Sequence, residues 1–222
     1  MEKKYILTNE KRKTIHSPRP VYRIQAIRDF DDVKSGDLGG FVSDEYILSH
    51  EENCWIYDNA IVCGNSSISD NAKLYNNSVV KDGSLYEDVR LYDNTKIYQN
   101  TVVWGKSEIK GNVSIFNTDI VAKNIKIQGD IILDGCFIGG TFCDIKGNFE
   151  IHEHSFMDAS ITSDKDYKRI DDIFGEDTHV TWIRSNNTII SDGRSYTPKE
   201  FIREFNRWIN PKARIIINKL IK

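Results

Sequence analysis

Aliphatic residues recur every six positions across the middle of the chain. They fall at Ile56, Val62, Ile68, Leu74 and Val80, then at Leu85, Leu91, Ile97, Val103, Ile109, Ile115, Val121, Ile127, Leu133, Ile145 and Ile151. A second, mostly small residue stands four positions after each: Ala60, Ser66, Ala72, Ser78, Ser84, Val89, Thr95, Thr101, Ser107 and Val113. Between them lie turn formers such as Asp58-Asn59, Gly64-Asn65, Asp70-Asn71 and Asn76-Asn77. The pattern predicts a triangular coil of three short strands, about 18 residues per turn, with successive coils stacked about 4.8 Å apart. The large aliphatic points inward on each side, and the small residue fits inside a corner whose Asn, Asp or Gly tolerates a left-handed backbone. The register slips by one residue at Leu85 and is expected to hold from there to Ile151. The fold class is therefore mainly β, a parallel β-helix over residues 55–159.

Two flanking segments lack this period. In residues 1–54, Tyr5–Thr8 and Val21–Ile27 read as strands of an N-terminal β cap, with Ser17-Pro18-Arg19-Pro20 in a loop between them. Gly36, Gly39 and Gly40 permit tight turns at the solenoid entrance; without a Walker or GxGxxG spacing they are not read as a phosphate cradle. In residues 160–222, Thr162–Asp177 reads as a charged loop, and His179–Arg184 with Thr188–Ser191 as a hairpin. Thr197-Pro198-Lys199-Glu200 carries the parts of a helix start. The following apolar stripe holds Phe201, Ile202, Phe205, Trp208 and Ile209, and Asn210-Pro211 begins a second helix bearing Ile215, Ile216, Leu220 and Ile221. This α/β appendage suits a cap on the last coil, because solenoid ends need one.

The register also sorts the outward residues, which alternate with inward ones along each strand. One face carries charges such as Lys73, Arg90, Glu108, Lys110 and Lys126, and a second is mixed. The third is uncharged and grows apolar towards its C-terminal half, through Tyr86, Val102, Trp104, Ile120 and Ile138. A contiguous apolar face of this kind predicts an oligomer interface, a protein-partner site, or cover by the chain's own C-terminal segment. A separate basic surface on the C-terminal helices, with Lys199, Arg203, Arg207 and Arg214, offers a site for phosphate, nucleic acid or an acidic protein.

Bulk properties narrow the chemistry. The formal charge of −3 over 222 residues selects neither for nor against a polyanion. Cys54, Cys63, Cys136 and Cys143 show no zinc-ligand spacing, and scattered thiols fit a reducing, cytoplasmic setting. No apolar run reaches the ~18 residues of a membrane span, so no membrane partner is expected. Nothing calls for a metal or a cofactor. The histidines open to general-base work are His50 and the strand-spaced pair His152 and His154, for which a third metal ligand is not apparent.

The run Asp32-Val33-Lys34, Gly36-Asp37-Leu38-Gly39-Gly40-Phe41-Val42, Leu48-Ser49 and Asn53-Cys54-Trp55-Ile56-Tyr57-Asp58-Asn59-Ala60, leading into the hexapeptides, resembles the YdcK-like hexapeptide-repeat proteins of bacteria and phages. The resemblance covers roughly residues 22–115. It implies a left-handed β-helix like that of the hexapeptide acyltransferases, many of which bind acyl-CoA between subunits and use a histidine base. The chain shows no long loop inserted between Trp55 and Phe116 of the sort such enzymes extend to a neighbouring site. The expectation is a non-catalytic interaction protein that self-associates and binds a macromolecule, with an accessory phage role such as inhibition of a CRISPR nuclease. The alternatives are an acyl-CoA-dependent acyltransferase and sequestration of a small nucleotide signal.

Overall fold

The structure, a computed structural model, describes residues 2–140, 143–147, 149–152, 155–157, 160–161, 164–175, 178–191 and 194–221. They form a β-solenoid of about six turns. One face stacks the parallel strands at Phe41-Val42, Ile61–Cys63, Val79–Lys81, Lys96–Tyr98, Val113–Phe116, Ile131–Asp134 and Phe149–His152. A second stacks Trp55-Ile56, Lys73-Leu74, Arg90-Leu91, Glu108-Ile109, Lys126-Ile127, Asp144-Ile145 and Ser160-Ile161. The third runs through Ser67-Ile68, Ser84-Leu85, Val102-Val103, Asp119-Ile120, Phe137-Ile138 and Ser155-Phe156. The three inward columns of Val, Ile and Leu are fully buried in one continuous core. Each such side chain contributes on the order of 1.5–3 kcal/mol by leaving water.

The third face departs from the expected register in its second half. Val103 pairs with Ile120, 17 positions on, and Ile120 pairs with Ile138. Ile120 and Ile138 are therefore fully buried, while Val121 turns outward at 37% exposure. The cause lies in the corner that precedes this face. At Val103 it spans six positions, with Gln99 and Asn100 both at positive φ, and at Ile68 it also spans six, with Gly64 the one left-handed residue. Where it spans five, a single left-handed residue suffices: Asp82 before Leu85, Asn117 before Ile120 and Gly135 before Ile138. The slip at Leu85 thus recurs twice. After Leu85 the lost position is not regained, since Leu91 pairs with Leu74, 17 positions back, whereas after Ile120 it is restored at the next corner, where Gly105 pairs with Ala122 but Ser107 with Ile125. The first slip also puts Gly83 into the buried corner position and leaves Ser84 half-exposed, so Ser84 is not the corner residue the period suggests.

The N-terminal cap is a hairpin of two ten-residue strands, β1 (Tyr5–Thr14) and β2 (Ser17–Ala26), followed by β3 (Leu38–Val42). The segment Ser17–Pro20, expected as a loop, belongs to β2. Its prolines are tolerated because β3 pairs with β2 only from Tyr22 to Gln25, leaving the distal half of β2 with a free edge. Tyr5, Ile24, Ala26, Phe30 and Val33 close the end of the solenoid core. Val21 packs with Phe41, Ile61, Cys63 and Val79 in a second small core.

At the other end, Tyr167–Asp171, His179–Ile183, Thr188–Ser191 and Arg194–Tyr196 make an antiparallel sheet. A strand therefore lies inside the segment expected as a loop. This sheet is a filling between two layers. Ile183 and Ile190 join the solenoid core, whereas Ile170, Val180 and Ile189 pack on the helices α1 (Pro198–Phe205) and α2 (Pro211–Leu220). Thr197 and Glu200 form the reciprocal capping box, with Glu200 N–H donating to Thr197 Oγ1 at 3.2 Å and Thr197 N–H to Glu200 Oε2 at 2.9 Å. Because α1 ends at Phe205, Trp208 leaves the expected apolar stripe and is 65% exposed. Ile215 is 60% exposed on the outer side of α2.

Candidate functional site

The outward surface of the third face follows from its register. Strand alternation puts Ser67, Ser84, Val102, Asp119 and Phe137 before the inward residues, and Ser69, Tyr86, Trp104, Val121 and Gly139 after them. Of the expected patch, Tyr86, Val102 and Trp104 do face outward, with Trp104 48% exposed and hydrogen-bonded in register beside Val121. Ile120 and Ile138 do not; their places go to Val121, Asp119 and the half-buried Phe137. Phe137 lies over Gly139, where an added Cβ would come within 2.9 Å of its ring. The surface is thus apolar at Tyr86, Val102, Trp104, Val121 and Phe137, with Asp119 the single charge in these two columns. The exposure of Trp104 shows that the described part of the C-terminal module does not cover it; that module packs on the last coil instead.

The histidines are placed differently. His50 Nδ1 accepts the Lys4 backbone N–H at 3.3 Å, and Nε2 faces Glu45 Oε1 at 3.5 Å. Its ring stacks on Tyr5 with centroids 4.5 Å apart. With Nδ1 occupied as acceptor, the proton of the neutral ring sits on Nε2 and points at Glu45. In this arrangement the ring links the cap strand to the solenoid entry. His152 lies in the strand Phe149–His152 opposite Asp134, and His154 lies outside the described residues. His16, in the hairpin turn, has Nδ1 3.3 Å from the Tyr98 hydroxyl. No group of three or more His, Cys, Asp or Glu side chains suited to a metal ion occurs among the described residues.

Burial holds the pKa of His50 below its ordinary 6.5, with Glu45 partly opposing that shift. The unfolded chain therefore binds the proton that the folded chain refuses. This contribution to stability is present above pH 6.5 and is lost as pH falls from there towards the folded pKa. Melting temperature should accordingly drop between pH 7.5 and 5.5, and His50→Gln should flatten that slope. An unchanged slope in the variant would assign the acid sensitivity elsewhere.

Other charged groups are tied into structure. Lys4 is fully buried, donating from Nζ to Cys54 O at 2.9 Å, Glu51 O at 3.0 Å and Cys54 Sγ at 3.2 Å. Lys73 reaches Asp31 and Asp32 at 2.5 and 2.9 Å; burial opposes its charge, but the two carboxylates outweigh this and raise its pKa. Tyr57, Tyr75 and Tyr92 stack in a ladder with centroids 4.5 and 4.8 Å apart. Their faces are used on one another, so the ladder is not a platform for a planar ligand. Lys199 and Arg203 on α1 and Arg207 in the turn after it are exposed, whereas Arg214 on α2 is half-buried and turned back to donate to the Asn206 carbonyl.

No helix among the described residues is long and apolar enough to cross a membrane. No protein-family model matches the chain. A stretch of 43 residues, 19% of the chain, is 54% identical to the Escherichia coli (strain K12) protein named uncharacterized acetyltransferase YdcK, and covers 13% of that protein's length. The chain is a β-solenoid of hexapeptide repeats that carries one short segment similar to YdcK.

Proposed function

We propose that the protein is a non-catalytic interaction rod, and that the apolar face around Trp104 docks a second copy of the chain. One observation carries this reading: a bulky aromatic left 48% exposed in the middle of a regular, flat face, next to Val121 and flanked by Tyr86, Val102 and Phe137. A surface with almost no charge has nothing to match a charged partner, and a stacked-strand face is self-complementary in shape. Apolar cores of subunit contacts are built from such aromatics. An accessory protein that blocks a host complex would use the same face, the host protein displacing the second copy.

In sedimentation velocity at ~0.5 M salt, where contacts between rim charges are screened, the wild type should still run as an oligomer and Trp104→Glu should run as a monomer. A wild type that stays monomeric at every concentration overturns the reading. The acyltransferase alternative rests on the printed name of the relative. Titration with acetyl-CoA is expected to give no saturable heat, and specific micromolar binding would restore the enzyme reading.

A further inference from the structure

The two ends of the rod differ in charge, and each carries exposed apolar residues. The helix pair is the outermost layer of the C-terminal end, since the four-stranded sheet separates it from the solenoid core. Residues 197–222 hold seven basic residues against two acidic ones. On α2, Lys212 and Lys219 flank Ile215 three before and four after it, which places them on one face. All three are exposed, as are Trp208 and Arg207, and neither lysine nor Arg207 makes an ion pair among the described residues.

The opposite end is its complement. Between Ile27 and Asp58 the chain has nine acidic residues and two basic ones; Glu45 pairs with Lys3, Asp29 with Lys34, and Asp31 and Asp32 with Lys73, whereas Asp37, Asp44, Glu51 and Glu52 make no ion pair among the described residues. Tyr5, Ile24 and Ala26 point into the core, so the alternate positions Ile6 and Ile27 face outward, 41% and 43% exposed. Leu38, opposite Gln25 in the same sheet, is 57% exposed. Exposed Asp37 adjoins Leu38. The loop with exposed Glu51 and Glu52 is fastened beside Lys4, whose backbone carbonyl accepts from Ile27 N–H at 2.9 Å. Exposed Ile6, Ile27 and Leu38 thus stand with unpaired carboxylates at one end, and the outermost layer of the other end carries exposed Trp208 and Ile215 together with ammonium and guanidinium groups.

We infer that the basic, Trp208- and Ile215-centred end of one chain docks on the acidic, Leu38- and Ile27-centred end of a second copy. The contact is heterologous, so it propagates into linear head-to-tail assemblies rather than closing at a dimer. It is independent of the Trp104 face and differs from it in kind. Rim charges at an interface are screened over about 10 Å at 0.1 M salt, so the end contact must weaken with ionic strength while the apolar side contact does not.

The test uses the full chain in sedimentation velocity at low and at 0.5 M salt, on a Trp104→Glu background that removes side-by-side pairing. At low salt the sedimentation coefficient should rise with concentration without a plateau, and at ~0.5 M this rise should vanish. The Lys212→Glu/Lys219→Glu and Glu51→Lys/Glu52→Lys variants should each weaken assembly by about tenfold or more. Mixing the two should restore it, because each reversed end then meets a complementary one. Salt-insensitive monomers, or a mixture no better than its components, overturn the inference. So does a basic-end variant that loses binding to a DNA oligonucleotide while assembling normally, which would make nucleic acid the occupant.

Discussion

With both changes made on the Trp104→Glu background that already lacks the side contact, Ile120→Asp should leave the protein unfolded or insoluble, whereas Val121→Asp, one position on, should shift the urea midpoint hardly at all. Ile120 is fully buried between Val103 and Ile138 in the third inward column, and no cation is within that column to pair with a carboxylate. The substitution removes a packed side chain, which alone costs about 2–5 kcal/mol, and puts in its place a group whose unpaired burial costs several more. Domain stabilities of about 5–15 kcal/mol do not survive such a loss intact. Val121 is 37% exposed, and surface changes of this kind fall within about 0.5 kcal/mol. An unbroken six-residue register would reverse the order of the two variants. If Ile120→Asp cannot be purified, Ile120→Ala against Val121→Ala gives the same ranking by urea unfolding. A larger loss at Val121 would refute the two additional slips.

That pair also marks where the sequence stops speaking clearly. Ile56 to Ile115 could be placed inward because a period of six, a small corner residue and an Asx or Gly turn agree at every coil. At Ile120-Val121 both neighbours are aliphatic, so hydropathy cannot choose between them. The deciding signals lay elsewhere: Gly139 stood where an aliphatic was required, and Asn117 and Gly135 are single corner residues like Asp82 at the visible slip. The candidate surface inherited the error, keeping Tyr86, Val102 and Trp104 but taking Ile120 and Ile138 from the core and missing Phe137. The strand Tyr167–Asp171 was hidden for a different reason. Tyr167 packs on the solenoid core and Ile170 on the helices, so a strand buried on both sides shows apolar residues three apart and no alternation. The helix start at Thr197 was legible because its capping box is local and needs no tertiary partner.

Gly40→Ala is the second substitution expected to be severe, and its contrast with Gly36→Ala separates two uses of glycine. Gly36 has φ +98°, and an added Cβ there would meet nothing within 4 Å. It serves the turn that brings its N–H to Ala26 O at 2.8 Å, and alanine should cost about 1–2 kcal/mol for the left-handed backbone alone. Gly39 and Gly40 lie in β3 without positive φ, so their role is not the turn expected from the sequence. What they supply is space. A Cβ on Gly40 would stand 2.5 Å from the Ala60 carbonyl oxygen and run into the Ile56 side chain, and one on Gly39 would stand 2.7 Å from the Ile56 carbonyl oxygen. Backbone oxygens of the first coil cannot retreat as a flexible side chain can. The cap must then lift from the coil, opening the contacts of Trp55, Ile56 and Val42 that seal the end of the core. Overpacking of this kind costs about 3 kcal/mol or more, so Gly40→Ala should lower the urea midpoint well beyond Gly36→Ala. Amide exchange should show the loss beginning in residues 5–56 while Ile97 to Ile115 stay protected. Equal costs at the two positions would mean that the glycines serve one backbone turn, and that the cap and first coil do not meet as closely as these distances require.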